Sequence, residues 1–341
     1  MLYVVLFFLI FSLYLYVVLG GADYGAGIVE LFSSKENQKI TKKTIYRVMG
    51  PVWEANHIWI IILIVILWIA FPFYYNILVI SLHIPLTIVL LGVTLRGVAF
   101  VFRHYDAIID NSQKLYDTMF KISSLITPIF LGMVFGGLIG GKIRIVEDVS
   151  SLTFYEAFME PWFNIFSILV GFFFATLCAF LSAVLLIGES EKGTENIYIR
   201  KATIATIVVF VMGLLTFIYG YSNKYAFVEG FIRDRYAVAA VVISGLLLIP
   251  LWMAIKKGSR VLSRFLAGLQ VFLILLAAFV SHFPYIIITE TGTVNLLENI
   301  APESVIRVLG ISLIIGGSLI LPGLFHLLKS FKMIKILEPK K

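Results

Sequence analysis

The chain has 341 residues; 60% are hydrophobic and only 14% charged, with 27 Lys and Arg against 20 Asp and Glu for a formal net charge of +7. Soluble domains are about 45–50% apolar and about 25% charged, so this composition excludes a water-soluble enzyme and a nucleic-acid binder. It also excludes a disordered chain, which needs low hydrophobicity. What remains is an all-α polytopic membrane protein.

A bilayer core takes about 20 apolar residues per helix. Nine such stretches follow in chain order, at residues 2–21, 52–71, 77–102, 122–140, 163–187, 202–221, 236–255, 261–283 and 305–328. Between the first two, residues 39–49 predict a short interfacial helix with Ile40, Ile45, Val48 and Met49 towards lipid. The third stretch is long enough to require tilt or projection beyond the bilayer. Tight links at Pro72 and at residues 256–264 make their neighbours antiparallel hairpins. No internal repeat and no loop long enough for an extramembrane domain is present. The expected architecture is a single membrane domain over 1–341. It comprises a first four-helix bundle at about 1–141, a second at about 162–283, and a peripheral last helix at about 305–328.

Basic residues orient these spans. Lys35, Lys39, Lys42, Lys43, Arg47, Arg103, Lys114, Lys121, Lys192, Arg200, Lys201, Lys256, Lys257, Arg260, Arg264, Lys329, Lys332, Lys335, Lys340 and Lys341 fall on one side. Only Lys142, Arg144, Lys224, Arg233, Arg235 and Arg307 fall on the other. The excess predicts an outer N-terminus and a cytoplasmic C-terminus. Residues 1–19 hold no basic n-region, so a cleaved signal peptide is not expected. Cys178, the single cysteine, allows no intrachain disulfide and reads as a small buried hydrophobe.

Ionisable groups at membrane depth point to function by default. Three segments converge on the cytoplasmic side: Gly21-Ala22-Asp23-Tyr24-Gly25-Ala26-Gly27, Pro51-Val52-Trp53-Glu54-Ala55-Asn56-His57-Ile58-Trp59, and Arg96 through Arg103. Topology therefore brings Asp23, Glu54, His57, Arg96 and Arg103 to similar depth. Glu54 and His57, three apart, share a helix face, and Pro51 suits a first helical turn, whose dipole favours Glu54. Arg96 lies seven residues before Arg103 and needs a carboxylate, with Glu54 and Asp23 available. Glycines beside Asp23 permit close backbone approach and an irregular helix end. Two readings of this cluster stand together: an ion pair tying the first three helices, with Trp53 and Trp59 as interface anchors, and a proton entry path through carboxylate and imidazole.

Other chemistry finds little support. The five histidines are His57, His83, His104, His282 and His326; His83 and His282 both lie towards the outer face, but isolated helical histidines are more often ordinary hydrogen-bonding residues than haem ligands. No set beyond Glu54 and His57 has metal-ligand spacing. The glycines at 20–27 follow a membrane helix and not a strand, which removes a nucleotide-binding reading.

These residues resemble subunit II of the cytochrome bd quinol oxidases of bacteria and archaea. Gly-Ala-Asp-Tyr-Gly-Ala-Gly at 21–27 is similar to that family's glycine-flanked aspartate motif, and the 51–59 segment to its tryptophan–acid motif. Arg96 matches a third-helix arginine, and Ser281-His282-Phe283-Pro284-Tyr285 the end of the eighth helix. Some members have Asp and Gln where this chain has Glu54 and His57. The resemblance implies Gly21, Gly25, Trp53, Asn56 and Trp59 as structural motif positions and Asp23, Glu54, His57 and Arg96 as proton-pathway positions. It also implies a heterodimer with a subunit I that carries the b and d haems and oxidises quinol, while this chain binds no haem and no metal. A structural quinone in this subunit, membrane lipid and a small accessory subunit are further associations the family suggests. The complex would couple quinol oxidation to reduction of oxygen to water across a bacterial or archaeal cell membrane. Two readings of another class stand beside it: a secondary transporter, disfavoured because the charges gather near one face and not at the midplane, and a scaffold with no proton role.

Overall fold

The structure is a computed structural model that describes residues 1–105, 112–146, 149–187, 189 and 194–330. Lys192, Lys332, Lys335, Lys340 and Lys341, counted in the charge asymmetry above, lie outside the described residues, as does the side chain of His104. Among the described residues nine helical segments are long and apolar enough to cross a membrane.

The first span joins α1 (Leu2–Leu15) to α2 (Gly21–Leu31) through a π-helical segment at Tyr16–Gly20. Ser33 and Ser34 lead into α3 (Lys35–Met49), which precedes α4 (Trp53–Ala70). Pro72 opens α5 (Pro72–Tyr105), where its missing N–H costs nothing. Further along, Pro85 breaks that helix: Leu82 leaves helical geometry at φ −121° and ψ 20°, as expected where a proline ring clashes with the preceding turn. α6 (Ser112–Ile139) returns, and a short capped helix α7 (Phe154–Phe158) follows, its Thr153 and Glu156 forming a reciprocal capping box. Asn164 caps α8 (Ile165–Leu186), which is followed by α9 (Glu195–Ser222) and the short α10 (Ala226–Arg233).

The seventh span, expected to be continuous, consists of α11 (Arg235–Leu246) and α12 (Leu248–Lys256), broken at Leu247. Pro250 has no N–H to return to the carbonyl of residue 246, which locates the interruption. α13 (Arg260–His282) and α14 (Glu303–Ser330) complete the spans. Between them β1 (Ile287–Thr289) and β2 (Gly292–Val294) form an antiparallel hairpin, pairing Ile287 with Val294. Arg144 fastens the hairpin to α7 by contacting Glu290 at 2.5 Å, Glu156 at 3.0 Å and Glu160 at 3.2 Å. This hub holds the Glu156 carboxyl below the usual range, first through the hydrogen bonds from Thr153, and the Glu290 carboxyl below it, first through that from Arg144.

α2 sits between α6 and α8, α5 packs on α6, and α8 on α9. Small residues set the α2 crossings: a Cβ on Gly25 would strike the carbonyl of Cys178, and one on Gly27 the Ser124 side chain. The largest apolar core is continuous from Val5 and Ile66 through Met133 and Phe166 to Val228 and Ile287. α14 is peripheral, with 11% of its span buried, and packs on α1 and α4.

Two local expectations are overturned. The Gly21–Gly27 motif is regular α-helix inside a span that continues to Leu31; the irregularity lies just before it, in the π-helical segment. In α3, Ile45, Val48 and Met49 are buried among Leu181, Val184 and Tyr198 of the protein and do not face lipid. Protein packing buries that edge because α3 passes beneath the ends of α2 and α8.

Candidate functional site

Asp23 sits in the third position of α2 with 0% exposure, walled by α4, α5 and α6. Arg96 of α5, 1% exposed, approaches it twice: Nη1 donates to Asp23 Oδ2 at 2.5 Å and Nη2 to the Asp23 carbonyl at 2.8 Å. Its Nε donates to Ser124 Oγ of α6 at 3.0 Å. All three guanidinium nitrogens are therefore engaged, which is how a buried cation avoids a prohibitive desolvation cost. His57 of α4 reaches the same carboxylate oxygen, with Nε2 3.2 Å from Asp23 Oδ2. The imidazole keeps 14% of its side chain exposed, whereas the aspartate keeps none. Asp23 Oδ1, His57 Nδ1 and Trp59 Nε1 are buried without a hydrogen-bond partner among the described residues.

Aromatic residues close the site. Tyr24 lies beneath the Arg96 guanidinium at 5.4 Å, and its hydroxyl meets that of Tyr16 at 3.0 Å. The Tyr24 and Tyr16 rings stand 5.4 and 6.1 Å from the His57 ring. Tyr16 belongs to the π-helical segment, a feature that recurs at functional positions. The same tyrosine also lines an apolar cavity of about 330 Å³ bounded by Leu63, Phe135, Phe173, Phe227 and Val271 among others. One residue thus touches both the charged cluster and the apolar chamber.

A second ionic rung repeats the first seven residues further along both helices. Arg103 donates to both oxygens of Glu30 at 2.7 and 2.8 Å, and its Nε lies 3.1 Å from Asp117, which also holds Lys42 at 2.7 Å. Seven residues are nearly two helical turns, so Asp23 and Glu30 share one face of α2, as Arg96 and Arg103 share one face of α5. Phe120 of α6 serves both cations: its ring centroid is 4.9 Å from the Arg96 guanidinium carbon and 4.5 Å from that of Arg103.

Asp23, His57 and Arg96 therefore come together as expected, and Asp23 is the carboxylate that Arg96 takes. Glu54 does not join them. It is exposed on the flank of α4 and makes no ion pair among the described residues. Arg103 answers to Glu30, a partner not expected from the sequence; the signal for it was the shared spacing of seven. Trp59 is 2% exposed and packs against Phe11 at 5.8 Å, so it is a core residue and not an interface anchor, because α1 covers that side of α4. Trp53 packs on Phe100, and Asn56 is buried. Gly21 and Gly25 both face Cys178, which is fully buried. Elsewhere, His83 Nδ1 pairs with the Ile80 carbonyl beside Phe158, while His282 bonds Ser281 at 2.6 Å and stacks on Phe227. Among the described residues no three His, Cys, Asp or Glu side chains gather as a metal site.

Comparison with known proteins places this geometry. The chain is 25% identical over 329 residues, 93% of itself and 92% of the relative, to a putative cytochrome bd menaquinol oxidase subunit II of Bacillus subtilis. It is 32% identical over 162 residues to a cytochrome bd ubiquinol oxidase subunit 2 of the same organism, a match spanning 47% of this chain and 45% of that one. The fold is similar to a chain in the structure of bd oxidase from Geobacillus thermodenitrificans, with TM-score 0.75, 20% identity and coverage of 96% and 97%. Residues 1–331 match the family described as cytochrome bd terminal oxidase subunit II, and this multi-pass membrane chain belongs to that family.

Proposed function

We propose that this chain is the partner of a haem-bearing subunit I in a quinol:oxygen oxidoreductase of a bacterial or archaeal cell membrane. In this reading it binds no haem, supports assembly of subunit I, and contributes to proton uptake from the cytoplasm, the side carrying most of its basic residues. The observation that carries the proton role is the graded burial along Glu54, His57 and Asp23. Glu54 is exposed, His57 is 14% exposed and within 3.2 Å of Asp23, and Asp23 is sealed. An imidazole can take a proton on one ring nitrogen and release one from the other, and the uncommitted oxygen Asp23 Oδ1 leaves an acceptor at the inner end. Glu54 would stand on the face that meets subunit I, since a charged side chain on a membrane helix is costly against lipid and is tolerated against protein or water.

The test is co-expression with a bd-type subunit I, followed by haem spectra, quinol oxidase turnover and proton uptake in proteoliposomes. Glu54→Gln and His57→Gln should assemble normally and take up protons several-fold more slowly. Unchanged uptake and turnover in both would leave the scaffold reading in their place; purification of the chain alone as a solute carrier would favour a transporter.

The apolar cavity favours a second association. Its volume of about 330 Å³ and the Tyr16 hydroxyl network at its edge suit a prenylated quinone, tail in the chamber and carbonyl towards Tyr16. Quinone extracted from the purified complex should fall on Gly213→Leu, which narrows the chamber; equal quinone content would remove this association.

A further inference from the structure

We propose that the exposed edge of α3 is a docking strip for the headgroups of anionic phospholipids. The argument starts from a helix that is amphipathic in an unusual sense. Its apolar edge is consumed by the protein: Thr41, Thr44, Ile45, Val48 and Met49 are buried. On the opposite edge Lys35, Lys39, Lys43 and Arg47 recur at every fourth residue, and all four are exposed. At 1.5 Å per residue they form a line about 18 Å long.

Such a line opposes the helix that bears it, because each like-charge pair four residues apart is destabilising. Glu36 is the one acid in α3. Lys42, on the flank of the helix, pairs with Asp117 at 2.7 Å, and within the strip Lys43 and Arg47 also make contacts inside the protein while staying exposed. The strip is also held still. Lys201 of α9 donates to Ser33 Oγ at 2.7 Å and to Thr41 Oγ1 at 2.6 Å, fixing the entry to α3 and its buried edge. At the far end Arg47 donates to the carbonyl of Glu189.

The strip also has no freedom to leave the membrane surface. Three residues, Phe32, Ser33 and Ser34, separate α3 from the span ending at Leu31, and three more, Gly50, Pro51 and Val52, separate it from the span beginning at Trp53. Phe32, 76% exposed, opens the first of these links and supplies an aromatic contact beside the charge, the combination found in interfacial segments. Anionic lipid headgroups match the array by charge, and basic clusters adjoining a membrane helix bind them by this attraction. The orientation proposed above assigns the strip to the inner leaflet; the headgroup chemistry does not depend on that assignment.

The experiment uses the full chain purified with its bd-type subunit I in mild detergent, as wild type and as a Lys35→Gln, Lys39→Gln, Lys43→Gln variant. Arg47 is left in place because it holds the Glu189 carbonyl. Each complex is equilibrated with equal phosphatidylglycerol and phosphatidylethanolamine, and retained lipids are counted by native mass spectrometry. Wild type should retain phosphatidylglycerol in preference, and the variant should lose that preference by roughly tenfold or more, each cation near an anionic surface being worth about fivefold. High salt should do the same to wild type. Equal preference in variant and wild type overturns the proposal. So does an equal loss in a Lys256→Gln, Lys257→Gln control, whose exposed lysines lie in a different turn, since bulk charge alone would then explain the result. Failure of the oxidase reading would appear separately, as loss of subunit I and of the haem spectrum with lipid counts unchanged.

Discussion

Replacing Asp23 by Asn removes one negative charge from a pocket that keeps its positive one. Arg96 would retain the Asp23 carbonyl at 2.8 Å and Ser124 Oγ at 3.0 Å but lose the carboxylate at 2.5 Å. A charge-assisted hydrogen bond contributes about 1.5–3 kcal/mol, and breaking a buried pair from one side costs about 3–5 kcal/mol because the remaining charge is uncompensated. With Arg96 at 1% exposure, the upper range applies. We expect Asp23→Asn to destabilise by roughly 3–5 kcal/mol, or about two to nearly four orders of magnitude in the folded-to-unfolded ratio. Arg96→Met in the same background should recover most of this loss, because both charges are then absent. Reversible unfolding in mixed micelles at increasing dodecyl sulfate, read by tryptophan fluorescence, measures the four corners of the cycle. A coupling of at least about 3 kcal/mol is expected, because either single substitution leaves a buried charge unpaired and the double one leaves none. A coupling under about 0.5 kcal/mol, the usual error of additivity, would refute the claim that Asp23 and Arg96 form one electrostatic unit.

Further expectations follow from the same geometry. Glu54→Gln should leave stability within about 0.5 kcal/mol of wild type, as befits an exposed group, and the same micelle titration checks it. Gly25→Val should abolish accumulation of folded protein, seen by fluorescence-detected size exclusion, because the added carbon strikes the Cys178 backbone; Gly21→Ala meets only side chains, at 3.4 and 3.5 Å, and should be tolerated. The Arg144 hub should weaken in acid. Glu156 and Glu290 have lowered values relative to 4.5, so their contribution is complete above that pH and lost as pH falls through the depressed range. The thermal stability lost on Arg144→Gln at pH 7 should therefore shrink below about pH 4.

The spans were legible because lipid demands about 20 apolar residues per crossing, a constraint written in the sequence itself. The meeting of Asp23 with Arg96 was legible for a related reason: a buried guanidinium has few carboxylates in reach. Whether Glu54 or Asp23 would be that carboxylate was not, because the answer depends on the rotation of α4 about its axis, and beyond His57 the residues of α4 are apolar all round. For Ile45, Val48 and Met49 the residue types do not separate lipid contact from protein burial, since both surroundings are equally apolar and only the path of α3 distinguishes them. The hairpin at 287–294 is hard to see among membrane helices, although Ile287, Ile288 and Thr289 before Gly292 carry ordinary strand chemistry.

The π-helical segment at Tyr16–Gly20 has a consequence for register. A wide turn of this type holds one residue more than an α-turn, and one residue is worth about 100° of azimuth about the helix axis. Everything downstream, Asp23 and Glu30 included, owes its compass bearing to that surplus residue. Deleting Val18 would let the turn relax to ordinary pitch with the chain still long enough to cross the bilayer, yet swing both acids away from α5 together. The first span therefore works as a keyed shaft, and its key is cut upstream of the residues it aligns.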